Sequence, residues 1–301
     1  MNDWAAFPEA PPSAHFFSER WPAAPTAPFL SAPSMRSIGD RLLKIHRRRS
    51  VLFLDLDHTL LRGPLSTVVV PTAVRDMAQA ARRAPAEVHD LLRAESRNRR
   101  ADPDFPLFRA LDWGDIIRTV AARLSVSLAT DPDDLARECA GPPHSRLLDD
   151  AGTALGRLSR PDRFLVAATR GLRKYQLPLL ARFKLWDRFD AVLTPEDSGV
   201  LKTDRAFYGD WPNRADISIH VGDSYSDDVA APIRFGHRAI WRPRPPIGGR
   251  AGLDPFARAA AISLSESELR PDAVIHHLSE LPAAVDRLEE MGGGVGPGSR
   301  R

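Results

Sequence analysis

Six short apolar runs, most of them ended by an acid or a hydroxyl, set the limits on what this chain can become: VLFLDL at 51–56, RFLVAAT at 163–169, DAVLT at 190–194, ISIHVGD at 217–223, RAIW at 238–241 and DAVIHHL at 272–278. Runs of this length without polar alternation suit strands buried on both faces, the situation inside a parallel sheet covered by helices. Helical patterns lie between them. The stretch 172–185 puts Leu172, Tyr175, Gln176, Leu179 and Phe183 on one face, and 226–236 brings Val229, Ala230 and Ile233 together before Gly236 closes the helix. Strand and helix alternating in this way predict an α/β chain with a doubly wound, Rossmann-like parallel sheet.

The gap between the first two strands breaks the alternation. Residues 65–147 carry apolar stripes at helical spacing (Val74, Met77, Ala78, Ala81; Val88, Leu91, Leu92; Trp113, Ile116, Ile117, Val120, Leu124) and no convincing strand. They read as a small helical domain inserted into a core made of 50–64 and 148–290. Residues 1 to about 35 hold closely spaced prolines that let no element run, and 1–49 read as an N-terminal arm, disordered apart from a short helix begun near Ser37 and ended by the basic run His46–Arg49, which reads as a solvated turn. The Pro-, Gly- and Arg-rich stretch 242–271 reads as a surface excursion, and 291–301 as a disordered tail.

Composition narrows the classes. A single cysteine, Cys139, excludes a disulfide framework and a multi-cysteine zinc site. No apolar run approaches the roughly 20 residues that cross a bilayer, so no membrane partner and a cytoplasmic location are expected. Acids are interspersed with the arginines, and the formal net charge is only +3, which does not build the segregated basic face of a nucleic-acid binder.

In parallel α/β sheets functional side chains gather beyond the carboxyl ends of the strands. There this chain places Asp55, Asp57 and Thr59 after the first strand and Thr169, Arg170 and Gly171 after the second. Lys202 follows the third, and Asp223, Asp227 and Asp228 follow the fourth. Carboxylates so crowded repel one another unless a cation is present, and Mg²⁺, a hard ion that takes oxygen ligands, is the natural one. With a clamped phosphoryl group, Asp55 is the candidate nucleophile, Asp57 the candidate acid and base, Thr169 and nearby backbone N–H groups the holders of phosphoryl oxygens, and Lys202 the balancing charge. Lys202 gains weight from rarity, because Lys44, Lys174, Lys184 and Lys202 are the only lysines in an arginine-rich chain.

These segments resemble the haloacid dehalogenase-like hydrolases over about 50–290. The likeness rests on Asp55-Leu56-Asp57-His58-Thr59, on Thr169, on Gly199-Val200-Leu201-Lys202-Thr203-Asp204, and on Val221-Gly222-Asp223-Ser224-Tyr225-Ser226-Asp227-Asp228. The resemblance implies a phosphatase in which Asp55 is nucleophile and Asp57 acid and base, with a small-molecule phosphate ester as partner. It also implies phosphate held by Thr169 and Lys202, and Mg²⁺ bound by Asp55, the backbone carbonyl of Asp57 and Asp223, with Asp228 in support. The helical insertion corresponds to a mobile cap placed after the first strand. Arg170 stands where many relatives have Asn; it either joins the phosphate-binding set by reaching an anionic substrate or points to solvent. Thr203 stands where Pro is common.

Plainer roles compete with these. Asp227 is the expected cap of its following helix, His58 is expected to shape a turn, and Arg82, Arg83, Arg93, Arg97, Arg99 and Arg100 are expected on a solvated helix face. A phosphotransferase or mutase would use the same core, and a non-catalytic binding protein would keep the fold alone.

Overall fold

The computed structural model describes residues 48–244 and 269–292. Its centre is a strand, β1 (Arg48–Leu54), in which Val51, Leu52, Phe53 and Leu54 are wholly buried. Alternate residues serve opposite faces: Leu52 and Leu54 enter one apolar core, Val51 and Phe53 another. A strand of this kind has to be interior, and β1 has parallel neighbours on both sides.

The remaining strands are β2 (Leu61–Arg62), β3 (Arg146–Leu147), β4 (Arg163–Ala168), β5 (Ala191–Leu193), β6 (Ala215–Gly222), β7 (Arg238–Trp241) and β8 (Ala273–Val274). Six of them form one sheet in the order β5-β4-β1-β6-β7-β8, every pair parallel. The chain winds outward from β1 to β4 and β5 on one side, then from β6 to β7 and β8 on the other. The strand order therefore reverses at β1, and the crevice beyond its carboxyl end is where such sheets bind ligands.

Helices cover both faces of this sheet. Residues Ala151–Leu158, Leu281–Gly292 and the Leu179–Leu180 part of Arg173–Arg182 bury apolar side chains against Leu52, Leu54 and Ile219, while Phe207 and Tyr208 pack on the Val51 and Phe53 side. The predicted α/β doubly wound sheet is the observed one.

Between β2 and β3 lie a π-helical turn (Leu65–Val69) and the helices α1 (Val70–Ala81), α2 (Pro85–Ala101), α3 (Leu107–Ala110), α4 (Trp113–Arg123) and α5 (Pro132–Glu138). Local chemistry fixes their starts. Asp112 accepts the Asp115 N–H ahead of α4, and Asp131 accepts those of Asp133 and Asp134 ahead of α5. Their apolar faces form a separate core, to which Leu172 and Tyr175 also contribute. The helix carrying Tyr175 is α7 (Arg173–Arg182), α6 being Ala151–Leu158.

Four expectations are corrected. Arg48 and Arg49 belong to β1 rather than to a solvated turn, because the Arg48 guanidinium lies 3.8 Å over the Phe164 ring and the Arg49 N–H donates to the Asp162 carbonyl at 2.8 Å. The last helix runs to Gly292, so residues 291 and 292 are helical. Arg146 and Leu147 form a strand, pairing antiparallel with Arg62 and Leu61. Arg99 is buried in the insertion, where it bonds Glu95, Asp115 and Thr119 at 2.7, 2.8 and 2.7 Å, whereas Arg82, Arg83, Arg93, Arg97 and Arg100 are exposed as expected. The proposed arm up to residue 47, the excursion from 245 to 268 and the tail from 293 lie outside the described residues.

Candidate functional site

The strand ends meet at a cleft of about 360 Å³ beyond β1 and β4, lined by Asp55, Asp57, Thr169, Arg170, Lys202, Asp223 and Asp228 among others. Every site residue read from the sequence is therefore at one place. Asp55 follows directly on β1, and its N–H donates to the Val221 carbonyl of β6 at 2.9 Å, so the sheet ladder sets the position of the carboxyl group. Its two oxygens are separately held: Lys202 Nζ lies 2.5 Å from Oδ1, and Thr59 Oγ1 donates to Oδ2 at 3.0 Å. Burial raises the Asp55 pKa to about 6, and the Lys202 charge opposes the rise.

Lys202 is 1 % exposed, which for a lysine demands a partner, and it has two. Its second carboxylate is Asp228, at 2.7 Å from Oδ1. Burial works to lower the lysine pKa, but the charges of Asp228 and Asp55 lift it above its usual value, so Lys202 remains an ammonium. The Tyr208 hydroxyl donates to the Lys202 carbonyl at 3.0 Å and fixes the backbone beneath it.

Asp223, at the end of β6, and Asp228 complete the acidic group. Asp228 Oδ2 accepts the Ser224 N–H at 2.9 Å, at the mouth of the π-helical turn Tyr225–Ala230. Asp228 thus satisfies the N–H of the residue that precedes the turn. Asp227, expected to cap it, bonds Arg170 Nη1 at 2.6 Å instead. That pairing resolves the two readings of Arg170 in a third way: it lines the cleft while anchored to a buried carboxylate, which Arg170 holds below the usual range against the effect of burial.

Asp55, Asp223 and Asp228 each offer a carboxylate oxygen, all within 4.8 Å of one another. Buried hard-oxygen donors at that spacing fit Mg²⁺. The Asp57 carboxyl group stands outside this trio. Arg244 pairs with Asp223, and Lys202 with the other two, so the three acids are countered by two cations. Arg244, with Arg242 beside it, belonged to the expected surface excursion; Arg242 is in fact buried and bonds the His58 carbonyl and Asp149 at 2.9 and 2.8 Å.

Asp57 lines the same cleft. Burial and the neighbouring charge of Asp55 push its pKa up to about 6, opposed by hydrogen bonds from Gln176 and the Gly63 backbone. His58, at φ 63°, adopts the left-handed conformation and donates its N–H to the Leu61 carbonyl at 2.7 Å, so it shapes the turn as expected. Thr169 accepts the Gly171 N–H on Oγ1 at 2.9 Å.

The outer wall comes from the insertion, through Leu65, Ser66, Leu111 and Trp113. Sequence reading missed what fastens that wall to the core. Lys174 Nζ reaches Asp112 and Asp133 at 2.8 Å each, and the Tyr175 hydroxyl contacts the same two carboxylates at 2.8 Å while accepting the Gly114 N–H at 2.8 Å. It missed Gln176 as well, whose only signal was a polar residue on an otherwise apolar helix face.

No protein-family model and no curated protein matches the sequence. Solved structures do match. A HAD phosphatase from Thermococcus onnurineus superposes with TM-score 0.57 at 22 % identity, covering 79 % of this chain and 97 % of its own. This chain has the haloacid dehalogenase-like fold. The magnesium-bound HAD-hydrolase YfnB from Bacillus subtilis matches with TM-score 0.51 at 17 % identity over 80 % of this chain and 99 % of that one. An L-2-haloacid dehalogenase from Xanthobacter autotrophicus gives 0.50 and 18 % over 80 % and 99 %. The haloacid dehalogenase-like fold thus accommodates different named activities, and chemistry has to be read from the side chains. Among the described residues, no helix is long and apolar enough to cross a membrane.

Proposed function

We propose that this chain is a magnesium-dependent phosphatase that hydrolyses a small-molecule phosphomonoester through an aspartyl-phosphate on Asp55. The observation that carries this reading is the pairing of roles at β1: Asp55 is clamped by Lys202 and Thr59 beside the acidic trio, while Asp57 faces the same cleft from outside the trio.

In the first half-reaction an Asp55 carboxylate oxygen attacks phosphorus, the bond to the leaving oxygen breaks, and Asp57 gives that oxygen its proton. In the second, Asp57 takes a proton from water as the water attacks the aspartyl-phosphate, which releases phosphate and restores Asp55. Lys202 keeps its proton throughout and balances charge on the nucleophile. Thr169 and adjacent backbone N–H groups hold phosphoryl oxygens. When bound, Mg²⁺ supplies charge neutralisation at the phosphoryl oxygens, and Asp55, Asp223 and Asp228, with the Asp57 carbonyl, are the groups to hold it. The helical insertion acts as a cap that excludes water and selects the ester, in a protein of the cytoplasm.

Dehalogenation, an activity carried by one of the structurally similar proteins, has no use for a second acid at Asp57. A phosphotransferase differs only in the acceptor that takes the phosphoryl group from Asp55. The deciding experiment measures phosphate release from a panel of aryl and alkyl phosphates with and without Mg²⁺, in the wild type and Asp55→Asn, alongside halide release from a 2-haloacid. Phosphate release that needs both Mg²⁺ and Asp55 is expected. Its absence across the panel sinks the phosphatase reading, and halide release replaces it.

A further inference from the structure

Gln176 is 1 % exposed, on the first turns of α7, and its Nε2 donates to Asp57 Oδ2 at 2.6 Å. Its other amide atom, Oε1, has no partner among the described protein atoms. The residue borders a void of about 10 Å³ that it shares with Asp57, Gly63, Leu65 and Leu179, room for about one water molecule. A buried amide with one end on a carboxylate and the other without a partner is an expensive occupant of an apolar helix face. Leu at this position would pack without that cost.

The surroundings are cut to fit the amide. A Cβ at Gly171 would lie 2.0 Å from Gln176 Nε2 and 2.8 Å from its Cγ, so the residue two positions after Thr169 has to be glycine while Gln176 keeps this place. Gln176 does not line the cleft and touches no reacting atom; what it reaches is Asp57.

We infer that Gln176 is a positioning residue of Asp57: its amide N–H on Oδ2, beside the hydrogen bond from the Gly63 backbone, sets the plane of the carboxyl group that gives its proton to the leaving group. This rests on the phosphatase reading. In the step concerned, the phosphorus–oxygen bond of the ester breaks, its electron pair stays on the leaving oxygen, and the Asp57 carboxyl proton transfers to that oxygen while Asp55 forms the new bond to phosphorus. Without the amide the carboxyl group keeps only the Gly63 backbone bond and gains freedom to rotate, so the proton is delivered from a poorer geometry.

The test uses single-turnover release of the leaving group in saturating Mg²⁺, with the full chain and two esters. Phenyl phosphate needs its leaving oxygen protonated; 2,4-dinitrophenyl phosphate does not. Gln176→Met, similar in length and without a donor, is expected to slow phenol release by about tenfold or more and dinitrophenol release by about twofold or less, with KM nearly unchanged. Equal losses on both esters mean that Gln176 is only a packing residue, and no loss on either means that it has no role; both overturn the inference. A crystal structure of Gln176→Met with the Asp57 carboxyl group unmoved overturns it as well. A wild-type chain that releases neither leaving group overturns the phosphatase reading itself, a result distinct from all of these.

Discussion

Lys202 Nζ is 2.5 Å from Asp55 Oδ1, a contact between two buried side chains 147 residues apart in sequence. Because Asp228 shares the same ammonium, removing it leaves two desolvated carboxylates facing each other. Lys202→Met is expected to lower the unfolding free energy by about 3–5 kcal/mol in the absence of metal. On the proposed reading, added Mg²⁺ is expected to bind the folded state and to stabilise the variant more than the wild type. Urea melts with and without Mg²⁺ measure both effects; a variant as stable as wild type in chelator contradicts the buried pairing.

The acidic trio depends on a glycine it does not contain. A Cβ at Gly222 would stand 2.2 Å from Asp228 Cγ and Oδ2. Gly222→Ala is therefore expected to push Asp228 out of line and to weaken Mg²⁺ binding by about 10–100-fold, as losses in the shell around a metal do. Calorimetric titration of the unliganded protein with Mg²⁺ reads this directly. Unchanged affinity removes Asp228 from the metal site.

At the insertion, the Tyr175 hydroxyl answers the Gly114 N–H and two carboxylates at once. Tyr175→Phe leaves those groups to find other partners, at a cost of about 1–3 kcal/mol. The effect is expected to be local. Amide exchange should accelerate in Trp113–Arg123 and stay slow in Arg48–Leu54, and uniform acceleration would mean that the two regions open together.

Away from the cleft, Arg163 meets Glu289 through two bonds of 2.7 and 2.8 Å, and Ser50 donates to the same carboxylate at 2.6 Å. Burial works to raise the Glu289 pKa, but Arg163, Ser50 and Arg49 together hold it below its ordinary 4.5. The unfolded chain thus takes up this proton first on acidification. The pair contributes fully above about pH 4.5, and its contribution fades as the pH falls through the lower folded value. Glu289→Gln is expected to lower stability at neutral pH and to flatten the loss between pH 4.5 and the acid limit, as followed by denaturant midpoints across that range.

The readability of the molecule from its residues follows the physics of each part. β1 announced itself because a strand covered on both faces has no polar positions to disguise it, and the cleft because its acids stand where strands end. Other features were hidden for equally definite reasons. Leu61–Arg62 and Arg146–Leu147 are two residues long, too short for any period to show. Arg99 has the same local spacing as exposed arginines around it, and the approach of Asp115 and Thr119 from another helix makes it interior. Arg48 hides in a basic run because a long side chain can lie along an aromatic ring while its backbone pairs in a sheet. Gln176 follows a helical stripe, and its polar end has meaning only once Asp57 is known to be opposite.

The ribbon of β2 and β3 has a bearing on how such a molecule can vary. Leu61 pairs with Leu147, Arg62 with Arg146, and the Leu148 N–H closes on the Leu60 carbonyl at 2.9 Å. The chain leaves the sheet and returns to it through one small hydrogen-bonded seam, so everything between is a cassette whose socket also includes Leu172, Lys174 and Tyr175. Exchanging that cassette between proteins, with the seam retained, alters the outer wall of the cleft while the strand that carries Asp55 stays in register. The seam is the natural cut site for grafting.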